Sequence, residues 1–262
     1  MLNKLPRPII FAHRGSSAHA PENTLAAFEL ALRQGTDAIE LDAKLTADGQ
    51  VVVIHDQTVD RTTDGIGRVR DLTLAEIRKL DAGSYFDSAF RGEVIPTLDE
   101  VLKAVGQMTF INIELTNYTS ITDDLPEKVA ALVKRYKLYR RVLFSSFNPI
   151  ALRRIHRNLP KAPIGLLALA GRSGALARSF VGRILVHYQA FHPEYHDVTP
   201  SMVKRFRRRN HDLFVYTVNR EEDMIRLFKL GITGIFTDDP IMAVQARSSY
   251  KRQLLEYETR QP

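Results

Sequence analysis

Residues 38–56 read AIELDAKLTADGQVVVIHD, and the fold turns on how this stretch is read. AIELD (38–42) and VVVI (51–54) are apolar runs of strand length, and each presents polar groups at its end: Glu40 and Asp42, then His55 and Asp56. Asp48-Gly49 marks a turn between them, and the intervening residues are too few for a helix. The C-terminal ends of parallel strands share one face, so acids and imidazoles at such ends can converge.

Outward from this stretch the same rhythm continues. PIIFA (8–12) runs into His13-Arg14-Gly15. Thr24 to Arg33 places Leu25, Phe28 and Leu32 on one helix face, with Asn23 or Thr24 as a starting cap and Gly35 past the end. Further strands are expected at 110–115, 142–145, 164–167, 190–192, 214–217 and 234–237, most of them separated by helical patterns. That alternation argues for parallel strands with helical crossovers. The candidates number nine, whereas a closed (β/α)8 barrel has eight places, so one is misread or lies outside the ring.

Residues 57–95 break the rhythm with polar loop, three aromatics (Tyr85, Phe86, Phe90) and a capping box, Thr73 with Glu76, for a helix over 74–80. A second box, Thr97 with Glu100, opens the next helix. The segment reads as an insertion at the catalytic face, where it covers a site or merely stabilises the barrel.

Composition limits the rest. The 262 residues are 44% apolar and 26% charged, ordinary globular values, and include no cysteine, which excludes disulfides, thiolate metal sites and a cysteine nucleophile. The most apolar stretch, Ala162 to Gly171, is about half of what a bilayer crossing needs. MLNKLPRPIIFAHRG has no signal-peptide pattern, so a cytoplasmic location is expected. The net charge of +7 favours anionic partners. KRFRRR (204–209) reads as the solvated face of a helix with Phe206 buried, and the absence of interleaved aromatics or zinc-finger spacing argues against a nucleic-acid module.

The strand-end residues carry the chemistry. Glu40 and Asp42, two apart on a strand, point the same way, and Glu114 in INIEL (111–115) has the strand-end position to join them. Three facing carboxylates either raise their pKa values or bind a hard cation, Mg²⁺ or Ca²⁺. His13 and His55 suit proton transfer near neutral pH, and Arg14 suits a phosphate oxygen. Together they describe metal-assisted phosphoester hydrolysis.

At these residues the chain resembles the glycerophosphodiester phosphodiesterase family. The motifs follow in family order: HRG (13–15) with PENT (21–24), ELD (40–42), TADG (46–49), VVIHD (52–56), RTTDGIG (61–67), IPTLDEVL (95–102), INIEL, SSF (145–147), TVN (217–219) and GIFTDDP (234–240). The resemblance implies a single TIM-type (β/α)8 barrel over 1–262 with a small insertion after the third strand. It implies hydrolysis of glycerophosphodiesters to sn-glycerol 3-phosphate and an alcohol. Glu40, Asp42 and Glu114 would be ligands of Mg²⁺ or Ca²⁺, His13 and His55 the acid/base pair, and Arg14 a phosphate contact. Two departures bear on substrate preference and rate. Thr116 stands where many members carry Lys, so a phosphate-binding cation is missing there, and either Arg14 carries more of the phosphate binding or another basic residue substitutes. Tyr216 stands where many have Trp, and it can stack on or hydrogen-bond a substrate. His192 is read as structural, and His19, His156, His187, His196 and His211 as surface or core. The alternatives are a lysophospholipase D docked on a membrane through the aromatic insertion and basic surface, and an inactive phosphate-ligand binding barrel.

Overall fold

The β2 strand (Ala38–Leu45) runs past its parallel neighbour in the ring, and the overhang carries a hairpin. The computed structural model describes residues 2–259. Its other strands are β1 (Ile9–Ala12), β3 (Val51–Val53), β4 (Phe110–Leu115), β5 (Val142–Ser146), β6 (Ile164–Ala168), β7 (Ala190–Pro193), β8 (Asp212–Val215) and β9 (Gly234–Thr237). All but β3 pair in parallel, and β1 bonds both β2 and β9, so eight strands close into a ring with helical crossovers between most of them. This is a TIM-type barrel.

The ninth candidate, β3, is the one outside the ring. It pairs antiparallel with β2, Ala43 opposite Val53 and Leu45 opposite Val51. The reason is length: residues 46–50 can make a hairpin, whereas a parallel return needs a dozen or more. The β2–β4 ladder ends at Ala43 opposite Leu115. Beyond it β2 continues to Leu45, and β3 folds back along that extension. His55 therefore returns to the level of Asp42, whose carbonyl accepts from the Ile54 N–H at 3.0 Å. The expectation that His55 sits at a parallel strand end is corrected; a hairpin delivers it. The insertion follows this hairpin strand, between the second and third strands of the ring.

Both capping boxes form. The first helix of the insertion is shorter than expected, Leu74–Ile77. Val59, Val69, Ile77, Ala82 and Ile95 pack with Val52 and Ile54 into a small core of their own on β3. Thr24 caps the helix Leu25–Arg33. KRFRRR lies at the end of the helix Pro200–Arg208 with Phe206 buried. That helix leads into the start of β8, which puts its arginines at the end of the barrel opposite the strand C-termini.

Two apolar layers hold the ring. One lies between strands and helices, with Ile10, Ile39, Leu41, Ile113 and Phe144 among its members. The other plugs the lower interior: Ile9, Phe11, Phe110, Leu143, Phe214 and Phe236. Phe11 meets Phe214 edge-on at 5.0 Å and Phe236 at 4.7 Å. Each such buried ring contributes about 1.5–3 kcal/mol relative to exposure.

Candidate active site

Above the phenylalanine plug the interior turns polar. Alternate residues of each strand face inward, so Glu40 on β2 sits opposite Asn112 on β4, and Asp42 opposite Glu114. Glu40, Asp42 and Glu114 each bring a carboxylate oxygen within 4.8 Å of the others. The expected trio is thus assembled.

This cluster fits a divalent cation. Burial, then the charges of Asp42 and Glu114, pushes the Glu40 carboxyl well above its usual range. Burial, then Asp42, pushes Glu114 up to about 8. Glu40 Oε1 is buried and has no hydrogen-bond partner. An all-oxygen set with an orphaned acceptor suits a hard cation, whose charge would relieve the repulsion. Tyr118 donates a short hydrogen bond to Glu114 Oε1.

The HRG and PENT motifs act on this cluster. Arg14 has φ +58°, a left-handed turn that aims its backbone N–H at Glu40 Oε2, 3.0 Å away. Gly15 follows at φ +82°, and a Cβ there would lie 2.7 Å from the Ala27 backbone. The Arg14 guanidinium bonds Glu22 Oε1 at 3.0 Å and lies 3.3 Å from Asp42 Oδ2. Asn23, also left-handed, donates to Asp42 Oδ2 at 2.9 Å. Burial alone would raise the Asp42 pKa, but Arg14, His55 and Asn23 hold it below the ordinary value.

Both histidines are anchored through Nδ1. His13 pairs with Asp238 Oδ1 at 2.7 Å, and His55 with Asp56 Oδ1 at 2.6 Å. Asp238 is itself held by Asn219 at 2.5 Å and Ser17 at 3.1 Å. Burial opposes the Asp238 charge, yet these bonds leave its pKa below the ordinary value. On the other side Arg61, from the insertion, bonds both Asp56 and Glu22. Its hydrogen bond is the main reason the Asp56 pKa falls to about 2. A hydrogen bond from His55 to Asp56 thus continues as ion pairs through Arg61, Glu22 and Arg14 to Asp42.

His13, Arg14, Glu40, His55, Glu114 and Tyr216 line one cavity of about 320 Å³. The Tyr216 hydroxyl is spent on the Ala168 carbonyl at 2.7 Å, which leaves its ring for the cavity. Thr116 has a buried lysine beside it, and the two line a cavity separate from the one that holds the histidines. Lys44, on the overhang of β2, donates to Thr116 Oγ1 at 2.9 Å, and burial lowers its pKa against the pull of Asp42 and Glu114.

Sequence reasoning passed over Asp238, Glu22, Lys44 and Tyr118 as individuals, and read Asn23 only as a helix cap. Asp238 follows the end of β9, so the strand-end rule that found His13 would have found it. Lys44 follows Asp42 by two and shares its face.

Comparison with known proteins agrees with this geometry. Residues 13–242 match the model of the glycerophosphoryl diester phosphodiesterase family. A glycerophosphodiester phosphodiesterase of Caldanaerobacter subterraneus subsp. tengcongensis is 44% identical over 235 residues, 89% of this chain and 95% of that protein. One from Bacillus subtilis is 34% identical, covering 93% and 88%. Among solved structures, an Oleispira antarctica phosphodiesterase in complex with the product sn-glycerol-3-phosphate superposes with a TM-score of 0.84 at 30% identity, covering 94% of this chain and 98% of that one. With the motifs in order, the barrel closed and the acids assembled, the chain belongs to the glycerophosphoryl diester phosphodiesterase family.

Proposed function

We propose that this chain hydrolyses glycerophosphodiesters to sn-glycerol 3-phosphate and an alcohol. Glu40, Asp42 and Glu114 hold a divalent cation, Mg²⁺ or Ca²⁺, while His13 and His55 move the protons and Arg14 meets the phosphate. The observation that carries this reading is the convergence of both Nδ1-anchored imidazoles, Arg14 and the acidic cluster on one cavity. When bound, the cation supplies Lewis-acid charge for the phosphate oxygens. The anchoring by Asp238 and Asp56 leaves Nε2 of each ring to face the reacting group. One imidazole takes the proton of the attacking hydroxyl, from water or the neighbouring glycerol, and the other returns a proton to the departing alkoxide. Arg14 adds positive charge on the wall it shares with His13.

We read the whole chain as one barrel domain, with 57–95 an insertion at its catalytic face. Arg61 and Tyr85 from that segment both bond Glu22, beside Arg14. Among the described residues no helix is long and apolar enough to cross a membrane. We assign the protein to the cytoplasm, which the absence of cysteine supports.

The test is release of glycerol 3-phosphate from glycerophosphocholine with Mg²⁺ or Ca²⁺, and its loss in excess chelator. No release from any glycerophosphodiester with either metal would sink the reading. Asp238→Asn is expected to lower kcat roughly 10–100-fold, the usual effect of losing an orienting partner. KM and the melting temperature should hardly move, while the pH–rate profile shifts; an unchanged profile would reduce Asp238 to a structural residue.

A lysophospholipid substrate is the second reading. Its support is Leu169, half exposed at the rim of a cavity also walled by Phe147 and Leu167. The arginines of the Pro200–Arg208 helix lie at the opposite end and would not dock this mouth on a membrane. Higher activity on lysophosphatidylcholine vesicles than on glycerophosphocholine would favour this reading.

A further inference from the structure

His192 is a buried imidazole that the proposed reaction leaves unused. It sits on β7 just above the phenylalanine plug, 5.6 Å from the Phe214 ring and 5.1 Å from Phe236. Gly165 on β6 makes room for it: a Cβ there would lie 2.3 Å from His192 Nε2. The side chain is 0% exposed, and neither ring nitrogen has a hydrogen-bond partner. Burial pushes its pKa down to about 3, so at neutral pH the ring carries one N–H donor and one lone-pair acceptor.

His192 has company. Asn112 is buried with Oδ1 unpartnered, and its Nδ2 donates to Ser145 Oγ at 2.8 Å. A serine oxygen that accepts still has its own proton to donate. All three residues line the cavity that holds His13, His55 and Glu114. Unsatisfied buried polar groups are costly, and apolar side chains would pack better on a floor of phenylalanines.

A ligand group that pairs with all of these atoms both donates and accepts. A carboxylate or phosphate only accepts, and a quaternary ammonium does neither. A hydroxyl does both. Asp42 and Glu114 lie two residues beyond Glu40 and Asn112, about 6–7 Å further along their strands, so a phosphate held there and at Arg14 stands above Asn112. The extended three-carbon arm of glycerol phosphate covers that step. We propose that His192, Asn112 and Ser145 form a floor subsite that reads the hydroxyls of the substrate's glycerol half. This rests on the hydrolase reading above and turns His192 from a packing residue into a specificity determinant.

The experiment compares sn-glycerol 3-phosphate with propyl phosphate, which has the same arm without hydroxyls, by calorimetry on the Mg²⁺-loaded protein. The unaltered protein should bind the glycerol compound about 10-fold or more tightly, since a site built for a hydroxyl is left unpaired without it. His192→Phe and, independently, Asn112→Leu should bring the ratio close to one and leave propyl phosphate affinity unchanged. Equal affinity for the two ligands in the unaltered protein, or a ratio preserved in whichever variants fold, would overturn the subsite. Glycerophosphocholine turnover by the same preparation separates the two claims: discrimination without turnover defeats the hydrolase reading alone, and turnover without discrimination defeats the subsite alone.

Discussion

His13→Ala and His55→Ala are each expected to lower kcat about 10²–10⁴-fold, the range for losing a general acid or base. KM should change little, because neither imidazole is asked to hold the ground state. The two variants should part on a nitrophenyl phosphodiester, whose leaving group departs without a proton. The histidine that serves as the acid will lose far less activity there than on glycerophosphocholine, and the base will lose as much on both. The double variant should be little worse than the poorer single, since the two rings serve one step. Near-normal turnover in either single variant would remove that residue from the chemistry.

Glu114→Gln is the second large effect, and it runs in opposite directions for activity and stability. Metal-dependent turnover should be lost, since one of the three proposed charged ligands is gone. The metal-free protein should become more stable at pH 8. Glu114 is pushed up to about 8 from an ordinary 4.5, by burial first and Asp42 next. Between those values the folded chain binds more protons than the unfolded one, so metal-free stability falls as pH rises from about 5 to 8. The glutamine removes that loss and should raise the melting temperature at pH 8 by roughly 3–6 °C, what about 1–2 kcal/mol gives a chain of this size. Melting curves in chelator across this pH range, for both proteins, provide the check. Parallel slopes would mean that the cluster carries no such strain. Metal affinity of the unaltered protein should rise with pH over the same interval, because binding displaces protons.

Much of this was legible in the residues. The parallel rhythm, the i, i+2 pair on β2 and the strand-end position of Glu114 follow from periodicity, and the structure brings the three acids together. β3 was ambiguous because Val51–Val53 suits a barrel place as well as a hairpin. The residues 46–50 held the answer, since a connection that short excludes a parallel return. The pairing of Asp238 with His13 was harder to see. Asp238 reaches His13 only because β9 closes the ring onto β1, a contact across 225 positions that no local pattern announces. Lys44 gains its partner only through the β2–β4 register, which sets it beside Thr116.

The β2–β3 hairpin has a further consequence. Its excursion begins and ends in the same place: Val53 N–H donates to the Pro96 carbonyl at 2.9 Å, and Ala47 N–H to Leu72 at 2.8 Å. Residues 46–96 therefore form a cassette clipped to the ring, and it carries one of the two imidazoles, whereas the other rides on the ring itself. Evolution or an engineer could exchange this one contiguous stretch, and so replace one of the two imidazoles proposed for proton transfer together with the arginine that ties Asp56 to Glu22, without recutting the barrel that supports the acids.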